Sequence, residues 1–202
     1  LRDNKESDAR VRIMKNIIAI GQSAIPVITE RINAGVPWYY LRNLAYMLGQ
    51  IGSGKCAEAL QPLLCHENNR VRMEALKSLQ RTGGEERVRI MLAVLPAADE
   101  NFKMSIVEAL GSAKNADAVN PLLDMLKNRP LVATTARADL EEKICVALGA
   151  IGSGAALTAL AEIAESKSFL RVRVYPEKVK NAAGRALVSI RRKQAEATGT
   201  KK

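Results

Sequence analysis

Three groups of residues in this 202-residue chain have types and spacings suited to chemistry or binding. The first is "GQIGSGKC", residues 49–56, which meets the phosphate-loop pattern G-x-x-x-x-G-K-[ST] everywhere except at Cys56. Such a loop aims backbone N–H groups and a lysine at phosphate oxygens and places a hydroxyl on magnesium. A thiol replaces that hydroxyl poorly, and a sister segment at 148–156 has Ala155 where Lys55 stands. A β-strand must also precede the glycines, so that the next helix points its N-terminus at the anion. Gly49 instead falls inside a helical pattern. The glycines read as joints between helices: Gly52 follows the last apolar residue of one helix, where positive φ costs a glycine little, and Ser53 can cap the next.

The second group is "PWYYLRN", residues 37–43. Trp38 and Tyr39, with Arg42 one turn on and Asn43 beside it, have the composition of a protein-binding hot spot. Packing over a groove between helices would use the same residues. The third is the basic C-terminal end. Of 31 Lys and Arg residues, eleven lie in 167–202, against two of the 21 Asp and Glu, so this end supplies nearly all of the net charge of +10. Its cations include Lys167, Arg171, Arg173, Lys178, Lys180, Arg185, Arg191, Arg192 and Lys193, with Arg171, Arg173, Lys178 and Lys180 the candidate contacts for nucleic acid or another polyanion. A polar, charged face that caps the end of a repeat array is the competing reading.

Metal or nucleophilic chemistry finds little support. The one histidine, His66, stands beside Cys65 without a second His or a C-x-x-C partner. Cys56, Cys65 and Cys145 are an odd count at unpatterned spacings and read as reduced thiols. No catalytic residue, metal or cofactor is expected, and the chain is expected not to be an enzyme. Nor does any apolar run look long enough for a membrane span, which points to a soluble, cytoplasmic protein.

The elements that position these residues come from an internal repeat. "LGQIGSG" at 48–54 returns as "LGAIGSG" at 148–154, with weaker versions at 17–23, 79–85, 110–116 and 187–193. Taking the fourth residue of each as anchor gives Ile20, Ile51, Thr82, Ala113, Ile151 and Ile190, spaced by 31, 31, 31, 38 and 39 residues. Apolar residues recur three, seven and eleven positions before each anchor, as at Leu48, Leu44 and Tyr40, which makes a helical stripe. Nine and twelve positions after it comes a second stripe, as at Leu60 and Leu63, from which Thr29 departs in the first copy. Each unit is helix, tight turn, helix. A lone hairpin cannot bury both its faces, so neighbours must stack.

The best copy, "ENNRVRMEALKSLQRTGGEERVRIMLAVL" at 67–95, resembles the HEAT-repeat proteins, specifically the short bacterial HEAT-like repeats related to those of phycobilisome lyases. The resemblance covers residues 1–193. It implies an all-α, right-handed α-solenoid of about six helical hairpins, and arginines such as Arg12 and Arg72, with Lys103 and Lys180, pairing with carboxylates of adjacent turns. For function the residues say more: second-helix positions such as Glu30, Arg31, Glu58 and Arg89 are mixed in sign, which suits a non-enzymatic scaffold that binds another protein, or another domain of its own full-length chain, through extended repeat surfaces. Nucleic-acid binding through the basic end is the alternative. A HEAT-like enzyme of the lyase or DNA glycosylase type is the weaker one.

Leu1 falls on the second-helix core position of a preceding copy, so the array is expected to continue N-terminally. The two long steps place insertions at 127–137 and 166–176, where "FLRVRVY" alternates like a strand. Residues 194–202 are expected to form an unstructured tail.

Overall fold

A computed structural model describes residues 2–129, 134–166 and 175–199, with side chains from residue 8. The helices follow the repeat. They are α1 (Arg2–Ile20), α2 (Ile25–Asn33), α3 (Trp38–Ile51), α4 (Cys56–Leu64), α5 (Asn69–Thr82), α6 (Glu86–Val94), α7 (Glu100–Ala113), α8 (Val119–Lys127), α9 (Thr135–Ile151), α10 (Leu157–Ala164) and α11 (Glu177–Gly199). No strand occurs among the described residues, and the alternating 169–175 segment lies mostly outside them. Leu1–Ile90 and Met91–Lys202 form two compact units.

The turn inside each hairpin is set by the residue after the anchor. Gly52 (φ 67°) and Gly152 (φ 85°) close α3 and α9 in the left-handed region and donate their N–H to Leu48 and Leu148. Lys114 takes the same role after α7 at φ 53°, where a side chain is disfavoured. The sixth copy has Arg191 at that place, with no glycine to stop the helix, and α11 runs on to Gly199. That corrects the expected tail over residues 194–199. Ser53 Oγ accepts the Lys55 N–H at 3.3 Å and Ser153 Oγ accepts the Ala155 N–H at 3.4 Å, so both sister segments are helix joints. Lys55→Ala is therefore expected to change stability by about 0.5 kcal/mol or less, and ATP should leave the melting transition unmoved. A nucleotide-dependent rise in Tm that the substitution abolishes would restore the phosphate-loop reading.

The first-helix stripe is buried where expected in the later copies: Val71, Ala75 and Leu79 on α5, Phe102, Ile106 and Leu110 on α7, and Leu140, Ile144 and Leu148 on α9. Leu60, Met91, Leu122 and Leu160 bury the second. Thr29, the exception, bonds through Oγ1 to the Ile25 carbonyl at 2.9 Å, and Ile28 takes the buried place beside it.

Glycines two positions before the anchor bring first helices together. A Cβ on Gly111 would stand 2.9 Å from Ala147 Cα and one on Gly149 2.9 Å from Ala186 Cα; on Gly49 it would stand 2.8 Å from Ser78 Cα. These three close approaches join α7 to α9, α9 to α11 and α3 to α5. Between α1 and α3 the pairing is lost, since Ile18 occupies the glycine place and Met47 the small-residue place.

Residues 8–33 correct another expectation, because they contain a stretch long and apolar enough, by length and composition alone, to cross a membrane. Gly21 (φ 69°) and the 3-10 turn after it divide that stretch into α1 and α2, and α2 buries Ile25, Ile28 and Ile32.

Candidate functional site

The α1–α3 step is where the fold leaves apolar surface uncovered. Among the described residues, α1 buries no side chain: Ile13 is 57% and Ile20 60% exposed. Opposite them on α3, Tyr40 was expected in the core and is 46% exposed. The missing glycine explains this. With Ile18 and Met47 at the places where other helices touch backbone to backbone, α1 stands off α3 and clefts open along the seam. One of about 410 Å³ is walled by Ile13 and Ile17 of α1 and by Tyr39, Tyr40 and Leu44 of α3. The other, of about 360 Å³, is lined by Arg10, Lys15, Arg42, Tyr46 and Glu74. Arg10, Met14 and Asn43 border both.

Three of the four candidates in "PWYYLRN" line these clefts: Tyr39 the first, Arg42 the second and Asn43 both, with Arg42 donating to Asn43 Oδ1 at 3.4 Å. Trp38 is placed differently. It is half-buried, its ring lies edge-on to Tyr39 at 6.0 Å, and the Arg70 guanidinium of α5 stands 5.5 Å from its centroid. The tryptophan is thus covered by the next repeat, as a packing residue would be.

The described cations of the C-terminal end are spent largely on the protein itself. Lys178 pairs with Asp139 of α9, and Lys180 with Glu177 at 3.4 Å. Arg185 lies 3.9 Å from Glu142, and Arg192 3.4 Å from Glu196. Lys193 donates to the carbonyls of Gly149 and Ala150 at 3.1 and 2.6 Å, a cation on the negative end of α9. Arg171 and Arg173 lie outside the described residues. With Glu108–Lys143 at 3.4 Å, the α9–α11 pairs form the expected ion-pair ladder, but through Lys143, Lys178 and Arg185. Arg72 donates to Asn69 Oδ1 at 3.4 Å on its own helix. Lys180, too, pairs within its own helix.

Residues at the ends of the two insertions converge on a site that sequence reasoning missed. Glu141 of α9 is fully buried, and its Oε1 accepts from Arg129 Nε at 3.0 Å and Arg137 Nε at 3.1 Å. The Arg129 guanidinium lies 4.4 Å over the Tyr175 ring, whose hydroxyl donates to the Leu126 carbonyl at 3.4 Å. Burial pushes the Tyr175 hydroxyl pKa up, with the Glu141 charge adding to it and Arg129 opposing. One turn along, burial and then the Glu141 and Glu142 charges push the Cys145 thiol up to about 12. The insertion was expected as loop through 137. It is helical from Thr135, where Thr134 Oγ1 caps α9 by accepting the Arg137 N–H at 3.1 Å. Glu141 was readable as the one acid ten positions before an anchor, where the other copies have Arg10, Leu41, Arg72, Lys103 and Lys180.

His66 Nδ1 accepts the Asn68 N–H at 2.9 Å, which ties the ring into the turn before α5. Among the described residues no group of three or more His, Cys, Asp and Glu side chains comes together as metal ligands would.

Comparison with known proteins places this architecture. Residues 25–100 match the HEAT-repeat family. No curated protein sequence matches the chain. The solved structure of human deoxyhypusine hydroxylase in complex with glycerol is similar, with a TM-score of 0.53 and 17% identity, over 92% of this chain and 91% of that one. The expectation that the chain is not an enzyme is thereby corrected. The same fold, over nearly the same length, carries a hydroxylase, and catalysis depends on residues mounted on a fold rather than on the fold. The 31-residue period, the hairpins it builds and these two likenesses together give the chain HEAT repeats at residues 25–100 and the fold of HEAT-repeat proteins, an all-α solenoid of helical hairpins.

Proposed function

We propose that this helical-repeat scaffold binds another protein, or another domain of its own full-length chain, through the α1–α3 face, with Tyr39, Tyr40, Arg42 and Asn43 among the contacts. One observation carries the reading. Of the nine large apolar side chains that stand well exposed among the described residues, seven lie between Val11 and Tyr46. Scattered apolar exposure is ordinary; five of the seven, Val11, Ile13, Tyr39, Tyr40 and Tyr46, line the two clefts, and that concentration marks a surface made to be covered. Tyrosines beside an arginine and an asparagine add the side chains that dominate binding energy in protein interfaces. The basic C-terminal end we assign to capping the array, since Lys178, Lys180, Arg185, Arg192 and Lys193 serve its own carboxylates and carbonyls.

A photoreactive side chain at position 39 of the full-length protein tests this in native extract. It is expected to cross-link a discrete partner that Ile13→Asp removes, while the same group at exposed Gln61 on α4 gives no such adduct. Equal adducts at both positions, or none at position 39, would sink the proposal.

A further inference from the structure

The chemistry of the two clefts goes further than naming a surface. Resting on the reading of α1–α3 as the recognition face, we infer that its partner segment is an acidic amphipathic helix. Its apolar side would sit between Ile13 and Tyr40, and its carboxylates would face Arg10, Lys15 and Arg42.

Charge is the first reason. Those three cations line the smaller cleft against one carboxylate, Glu74, which already lies 3.9 Å from Arg81. Arg10 also reaches the larger cleft, whose remaining lining is uncharged. The two clefts therefore present a joined apolar floor with a positive rim, and the complement is an apolar ridge with a negative one.

Backbone accounting is the second. The walls are helices, whose N–H and C=O groups are paired within themselves, so neither wall offers a sheet edge. An extended peptide laid here would bury main-chain donors and acceptors with nothing to pair them. A helix satisfies its own backbone and brings only side chains, which is how helices enter grooves elsewhere. A polyanion such as nucleic acid gains nothing from Ile13, Ile17 and Leu44, and a bilayer is not expected to follow a concave seam.

The test uses the full chain and three synthetic peptides of about 20 residues. One is a helix with a leucine face flanked by Glu, one the same helix flanked by Lys, and one the acidic composition scrambled. In fluorescence anisotropy the acidic helix is expected to bind at least about tenfold tighter than the basic one, and to weaken as salt rises. Arg10→Glu with Lys15→Glu should reverse the preference, and Ile13→Asp should weaken both helices, with circular dichroism confirming that each variant is folded. Equal binding of the acidic and basic helices, or of the scrambled peptide, would overturn the inference. So would binding to phosphatidylserine vesicles in preference to either helix, or self-association of the chain that Ile13→Asp abolishes. The position-39 cross-link separates the two failures. If it persists while the acidic preference is absent, the face stands and the partner chemistry is wrong; if both are absent, the functional reading falls as well.

Discussion

Glu141→Ala is expected to cost about 3–5 kcal/mol, the scale for removing one partner of a buried ion pair. Its carboxylate is fully buried in α9, and the side chains of Arg129 and Arg137 that hold it are only 7% and 14% exposed. Without the carboxylate, two guanidiniums remain side by side in a low-dielectric setting, each still desolvated and now repelling the other. Arg129 keeps the Tyr175 ring and Arg137 the Met125 carbonyl, and neither of these contacts carries a negative charge. Glu141→Gln preserves the volume and one acceptor, so it should cost less than Ala and still exceed any exposed pair of the α9–α11 ladder, which are worth about 0–1 kcal/mol each. Replacing all three charged residues with Leu and Met should recover most of the loss, since a packed apolar cluster needs no counter-charge.

Urea unfolding measures the three variants, and hydrogen exchange shows where the damage lies. The backbone at 125–129, 137–141 and 175–180 should open first, because the ends of both insertions are tied to this one carboxylate. A loss below about 1 kcal/mol for Glu141→Ala would mean that the guanidiniums reach water easily and that the cluster does not hold the insertions.

The way Glu141 escaped the sequence reading separates what a repeat reveals from what it hides. Spacing is a local property, so Leu48, Leu79, Leu110 and Leu148 could be placed in the core from periodicity alone, and they are there. Burial of Glu141 depends on Arg129, twelve residues upstream, and on Tyr175, at the end of the second insertion, and no period relates them. Trp38 hides for the same reason: its cover, Arg70, belongs to the next copy. Tyr40 fails differently. The stripe was extended to it as if every copy had the same neighbour, but Ile18 stands where the second, fourth and fifth copies bring a glycine, so α1 cannot close over α3. The features that make the candidate site are therefore departures from the repeat. They were legible as letters, since Ile18 and Met47 can be read against Gly149 and Ala186, but their consequence needs the helices side by side.

That glycine position supplies the second large effect: Gly149→Ala is expected to destabilise the 91–202 unit, against the usual direction for this change inside a helix. Alanine in place of a helical glycine gains about 1 kcal/mol from propensity. Gly184, inside α11 with nothing within 4 Å of an added Cβ, should show that gain. At Gly149 the added methyl would stand 2.9 Å from both Cα and Cβ of Ala186, and since one of these is backbone, no rotamer change relieves it. α11 must move off α9, at the overpacking cost of about 1–3 kcal/mol, which exceeds the gain over most of that range; Gly149→Val should cost more. The same movement stretches the bonds that Ser189 Oγ and Lys193 Nζ make to the Gly149 carbonyl at 3.2 and 3.1 Å. Lys193→Ala should therefore cost less in the Gly149→Ala background than in the native chain, because the lysine's seat on the end of α9 has already been disturbed. Thermal and urea unfolding of the four chains of that cycle, with Gly184→Ala as the control, decides the matter. If Gly149→Ala stabilises as Gly184→Ala does, or if the lysine's contribution is unchanged, the helices do not meet backbone to backbone at this step, and the loosened α1–α3 seam loses its explanation as well.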